Sequence, residues 1–207
     1  MWQIGVSNNK LVVPQVNDQS KVRIVKVYKL KPQENSVLTH PLDQNDFEKF
    51  NMLINGNPQL KSWVPIEMKI IHSDEGHKLD DVDAPWLGSH ALILKAGAAT
   101  MIKQILSNEG ELLPLDCREC DLFVYNPLSV IDALDERAST VIRFSESKQI
   151  MHIKEHSFRN YIIGQRATFK IPNLRVSPIF VTEPFIDMWQ SKKLSGLEFD
   201  MVWRSDN

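Results

Sequence analysis

Four residues, CREC (117–120), are all that separate ELLPLD (111–116) from DLFVYN (121–126). Both stretches read as strands, and a link of that length cannot hold the dozen or more residues of a parallel crossover. The pair should therefore be antiparallel. TVIRF (140–144) and QIMHIKEH (149–156), joined by the turn SESK, should pair in the same way. Further strands are expected in VRIVKVYKL (22–30), around Ile66 to Ile71, in ATFKI and in PIFVT. In LEFDMVW, Leu197, Phe199, Met201 and Trp203 alternate with Glu198, Asp200 and Val202, the period of two that arises when one sheet face is buried.

Helices are fewer. In KAGAATMIKQILSNEG, Ala98, Met101, Ile102, Ile105 and Leu106 follow the i, i+3, i+4, i+7, i+8 pattern of one helical stripe, with Gly110 as the stop. DQNDFEKFNMLING places Phe47, Phe50 and Ile54 on one face, offers Asp43 or Asn45 as the N-cap, and ends at Gly56. Asn126 and Pro127 read as cap and first turn of a short helix over PLSVIDALDE, and Thr182 as the cap of TEPFIDMWQSKKL. Strands outnumber helices and many links are short, so the expected fold is α+β, a mixed and largely antiparallel sheet with a few packed helices.

A chain of 207 residues buries enough surface to need no covalent staples, and its two cysteines, Cys117 and Cys120, suit a reduced intracellular protein. The net charge of -2 argues against a protein built to bind nucleic acid. That total hides an uneven distribution. Residues 1–40 hold 6 basic and 2 acidic residues, residues 41–90 hold 4 and 9, and residues 91–207 hold 14 and 15. The acidity is densest in HSDEGHKLDDVDAP (72–85), which reads as an exposed loop between an N-terminal β/α part, 1–79, and a C-terminal α+β part, 80–207, of two domains or one continuous one. The start MWQIGVSNNK lacks a basic segment followed by an apolar stretch, and no apolar run nears the roughly 20 residues of a membrane span. A cytoplasmic location without a membrane partner is expected.

Several side-chain groupings invite a chemical reading. Cys117 and Cys120 with His152 and His156 have the ligand types of a tetrahedral zinc site, for a metal-dependent enzyme or a zinc-stabilised protein, although 31 residues separate the pairs. Two reduced thiols and two surface histidines explain the same residues more simply. A redox pair is disfavoured, because Asp116, Glu119 and Asp121 would raise the thiol pKa. His72 and His77 flank Asp74 and Glu75, which a solvated loop explains; Asp132, Asp135 and Glu136 fit a turn that buries Val130, Ile131 and Leu134. GxSxG, P-loop, GxGxxG and HExxH patterns do not occur, so no catalytic residue, no metal and no cofactor is expected. Of the five tryptophans, Trp189 and Trp203 suit a core, while Trp86, after the acidic loop and a proline, suits a binding surface.

Two longer strings carry a family resemblance. PWLGSHALILKAGAATMIKQILSNEGELLPLDC followed by DLFVYNPLSVIDALD, and later SPIFVTEPFIDMWQSKKLSGLEFDMVW, resemble immunity protein family 11, over about residues 80–203. Matching positions include Trp86, Gly110, Tyr125, Asn126, Asp132, Thr182 and Phe185, mostly apolar or turn residues that speak to fold. Residues 1–79 lie outside the match. The resemblance implies a cytoplasmic antitoxin that protects a bacterium by binding a cognate effector toxin of a type VI or Rhs-type system, with no reaction of its own. Many such toxins are basic nucleases. An acidic patch of Asp74, Glu75, Asp80, Asp81 and Asp83 beside Trp86 would then steer association and cover a cationic active site.

Overall fold

The computed structural model describes residues 24–53, 55–174 and 176–205. Trp2, Ile54 and the first two residues of the strand expected at 22–30 lie outside them. The chain opens with β1 (Lys26–Pro32), β2 (Leu38–Pro41), a 3-10 turn over Gln44–Asp46 and α1 (Phe47–Leu53), then β3 (Glu67–Ile71), β4 (Ser73–Asp74) and β5 (His77–Lys78). Next come β6 (Leu92–Lys95), α2 (Ala96–Leu106), β7 (Gly110–Cys117), β8 (Leu122–Pro127), β9 (Thr140–Arg143) and β10 (Ile150–Glu155). Last are α3 (Asn160–Ile163), β11 (Thr168–Phe169), β12 (Phe180–Val181), α4 (Glu183–Ser191) and β13 (Leu197–Arg204).

The strands form a five-stranded sheet in the order β2-β3-β7-β8-β6, a four-stranded sheet in the order β11-β12-β1-β13, and the hairpins β9-β10 and β4-β5. Among the strand ladders described, β3 with β7 is parallel and the rest are antiparallel. The fold is thus α+β with a mixed, largely antiparallel sheet. The four-residue link at 117–120 does close the β7-β8 hairpin, with Leu115 opposite Leu122. No break in pairing coincides with residue 79: β1 is hydrogen-bonded to β13 along its length, and β3 lies beside β7.

Side-chain alternation places the cores. In β6, Leu92 and Leu94 face one way and Ile93 the other; in β12, Phe180 and Val181 point to opposite faces. The central core lies between the two sheets, where Leu92, Leu94 and Tyr125 meet Leu30 and Val181 around the apolar faces of α2 and α4. Ala98, Ile102 and Leu106 of α2 and Phe185, Ile186 and Trp189 of α4 supply those faces. A second core behind the four-stranded sheet gathers Phe158, Phe169 and Phe180 with Ile150 and Ile153 of β10, and a third behind the five-stranded sheet gathers Phe50, Ile66, Met68 and Leu113. Phe50 is fully buried, as the stripe on α1 requires, and Asp43 caps the preceding turn by accepting from the Asn45 N–H.

Four expectations need correction. PLSVIDALDE is not helical: Asn126 and Pro127 end β8, and Val130 bridges to Lys170 and Leu134 to Phe158, so pairing with remote backbone draws the segment out. Its acids are engaged, Asp132 with Arg159 at 2.8 Å, Glu136 with Arg143, and Asp135 by accepting from the N–H groups of Arg137 and Ala138. Gly110 opens β7 instead of ending α2, whose last turn closes at Ser107. Along β13 the alternation fails beyond Phe199, because the register shifts opposite Val27 and Tyr28; Met201 turns outward and Val202 and Trp203 both reach the second core. The stretch 72–85 is no simple exposed loop, since Val82 and Ala84 are buried, Val82 against Val37 and Ile70 and Ala84 in the central core.

Candidate protein-binding surface

The acidic segment starts as a two-residue hairpin. Ser73 pairs with Lys78 and Asp74 with His77, and the turn between them, Glu75-Gly76, has φ of +47° and +83°. Positive φ at both central positions matches the right-handed twist of a two-residue hairpin, and Asn or Asp followed by Gly is the usual sequence there. Glu75 adopts the left-handed conformation in place of those residues and stands at the tip. The Leu79 N–H donates to the His72 carbonyl at 2.8 Å and closes the base of the hairpin. Asp74, Glu75, His77, Lys78 and Asp80 are all exposed.

From Leu79 onward the segment is tied into the body. The Asp80 N–H donates to the Asn35 carbonyl and its own carbonyl accepts from the Val37 N–H at 3.0 Å, leaving the carboxylate outward. Asp81 is exposed and paired with Lys95. Asp83 does something else. Its Oδ2 accepts from the Ser195 N–H at 2.9 Å and the Ser195 hydroxyl at 2.8 Å, and its N–H donates back to the hydroxyl at 3.1 Å. Trp86 is half-buried, bridged to Leu38 and packed on the central core. Asp83 and Trp86 therefore serve the fold, whereas Asp74, Glu75 and Asp80 present charge to solvent and the exposed Asp81 carboxylate is paired with Lys95.

Folding adds a carboxylate that sequence reasoning did not place here. Glu119, in the turn between β7 and β8, lies 2.5 Å from His72 Nε2 and accepts from the Ile70 N–H at 3.3 Å. The His72 hydrogen bond holds its carboxyl below the usual carboxylate range. Through this His72–Glu119 contact the 117–121 turn and the 72–81 segment meet as one surface. The parallel β3-β7 pair, which no local pattern signals, brings them together.

The cysteines and histidines of the hypothetical zinc set do not assemble. Cys117 and Cys120 pack against the third core and the adjoining Val37–Ile70–Val82 cluster, while His152 is exposed on β10 and His156, just beyond that strand, packs against the second core. No group of three or more metal-ligating side chains occurs among the described residues. Burial, then the nearby Cys117, pushes the Cys120 thiol up to about 11, in the direction expected from the sequence but with burial as the leading cause. His156 is not a surface histidine: its ring stacks on Phe158 and meets Phe180 edge-on, and burial lowers its pKa to about 4. Of the tryptophans placed in the core, Trp189 is 2% exposed and Trp203 packs on Phe158. No described helix is long and apolar enough to cross a membrane. No protein-family model and no curated protein matches this chain.

Proposed function

We propose that this protein is a cytoplasmic immunity protein that binds a cognate antibacterial effector toxin, a basic nuclease, and occludes its active site through the acidic surface of residues 72–81 and 117–121. The observation that carries the reading is the meeting of two segments remote in sequence to set Asp74, Glu75, Asp80, Asp81 and Glu119 on one outer surface over a buried apolar cluster. A cation-lined nucleic-acid site attracts such a surface over about a Debye length and is covered once the two dock. The string resemblance over residues 80–203 points the same way. The protein then acts by binding alone, and its partner is another protein.

The test uses the toxin domain encoded beside this gene. In wild type the association rate should fall steeply from 50 to 500 mM salt. A variant with Asp74, Glu75 and Asp80 changed to Ala should associate about tenfold more slowly at low salt, show a shallower salt dependence, and protect cells less. Asp83 is left intact in that variant because it supports the fold. Unchanged association and unchanged protection would overturn the role of the acidic surface, and a neighbouring gene whose product is not toxic would overturn the immunity reading itself.

A further inference from the structure

Cys117 and Cys120 add no charge to the acidic surface, yet the hairpin sets their thiols against each other. In the β7-β8 pair Gly110 lies opposite Pro127 and Leu115 opposite Leu122. Carried two residues nearer the turn, the same register puts Cys117 opposite Cys120, with Arg118 and Glu119 between them. Both cysteines pack on the same two apolar groups, the third core and the cluster of Val37, Ile70 and Val82, so both side chains leave the hairpin on one face. Opposed residues of an antiparallel pair hold their Cβ atoms about 4.5–5.5 Å apart, and a disulfide takes about 3.5–4.5 Å. A shift of about 1 Å therefore joins them. Both are half-buried, and Arg118 and Glu119 between them are exposed, so a small reagent reaches the sulfurs from the turn. The chain has two cysteines in all, and no third thiol competes.

We infer that Cys117 and Cys120 form a reversible disulfide across this turn, by exchange with a small-molecule disulfide of the glutathione type. The Cys117 sulfur, as thiolate, attacks one sulfur of oxidised glutathione; a Cys117–glutathione bond forms and the first glutathione leaves as its thiolate. Cys120 then releases its proton to solvent and attacks the Cys117 sulfur, and the second glutathione leaves. One S–S bond is broken and one is made. Two electrons pass from the protein to glutathione, and the two protons the cysteines lose end on the two glutathione thiols. Charge favours closure over the mixed disulfide, because the exposed Asp116, Glu119 and Asp121 around the turn repel a tethered anionic glutathione. The raised Cys120 pKa excludes a catalytic thiolate pair, but a neutral disulfide needs no stabilised thiolate. A disulfide is easily reduced where the freed thiolate is stabilised. Burial works against the Cys120 thiolate and gives the reduced form no such advantage. The closed bond cross-links the two residues that flank Glu119, the carboxylate that meets His72.

The experiment equilibrates the full chain at pH 7.5 in buffers of graded reduced and oxidised glutathione, quenches with acid, alkylates free thiols and weighs the products. The main product should be a monomer lighter by two hydrogen atoms, with both cysteines protected from alkylation and glutathione adducts a minor fraction. Dithiothreitol should restore two alkylatable thiols. The ratio of squared reduced to oxidised glutathione at half conversion should be about tenfold or more higher for the folded chain than for the chain in 6 M guanidinium, because the hairpin holds the sulfurs together. That comparison separates opposition imposed by the fold from mere closeness in sequence. Two free thiols under excess oxidised glutathione, mixed or intermolecular disulfides as the main product, or equal half-conversion ratios for folded and unfolded chain would overturn the inference.

Discussion

Replacing Asp83 by Ala should unfold the protein at markedly lower denaturant while leaving its surface charge almost as it was. The carboxylate accepts two hydrogen bonds from Ser195, which in turn accepts from the Asp83 N–H. The same turn is held by the Ala84 N–H on the Ser195 carbonyl and by the Lys95 N–H on the Asp83 carbonyl, so residues 83–84, 95 and 195–196 meet there. Hydrogen bonds to a charged acceptor contribute about 1.5–3 kcal/mol each. Here two share one oxygen of a half-buried side chain, which places the combined loss at about 2–3 kcal/mol. For a domain of this size that corresponds to a fall in Tm of roughly 5–10 °C. Equilibrium urea unfolding measures it, with the midpoint lowered and the slope unchanged. Asp83→Asn, which keeps an acceptor oxygen, should fall between. Asp80→Ala, whose carboxylate is exposed, should stay within about 0.5 kcal/mol of wild type. If Asp83→Ala matched that control, the clamp between the acidic segment and the start of β13 would be refuted.

Two further perturbations probe the same architecture. Gly196 has φ of +102°, and a Cβ there would lie 2.5 Å from the Ala84 carbonyl oxygen and 2.9 Å from a Val82 methyl, so Gly196→Ala should cost about 2–4 kcal/mol in urea unfolding; a loss under about 0.5 kcal/mol would show that β13 can shift away. His156 titrates at about 4 when folded against an ordinary value of 6.5. Between those values the unfolded chain takes up a proton that the native chain does not, so this contribution is full above pH 6.5 and is lost as pH falls toward 4. Discounted for the ring's partial exposure, the loss is about 1–2 kcal/mol. His156→Phe should flatten that part of the difference in unfolding midpoint between pH 7 and pH 4.5, and an unchanged difference would refute it.

The candidate surface was half legible. Exposed acids at 74, 75, 80 and 81 could be read from a run of like charge, but nothing in HSDEGHKLDDVDAP distinguishes Asp83 from its neighbours until Ser195 arrives from 112 residues away. Glu119 joined the surface through a parallel strand pair that has no local signature. His156 looked like a surface residue because its burial comes from Phe158 and Phe180.

What the sequence determined by itself is what short-range physics controls. The four-residue link at 117–120 compels an antiparallel hairpin, the 3.6-residue stripe of Ala98, Ile102 and Leu106 compels a helix against a core, and Asp43 caps its own turn. Only the tertiary structure decided that PLSVIDALDE is extended, that β13 changes face at its bulge, and that one aspartate in the acidic run is a clamp while its neighbours face water. In each of those cases the local preference is worth a few tenths of a kcal/mol per residue, and hydrogen bonds and apolar burial against residues far along the chain contribute more.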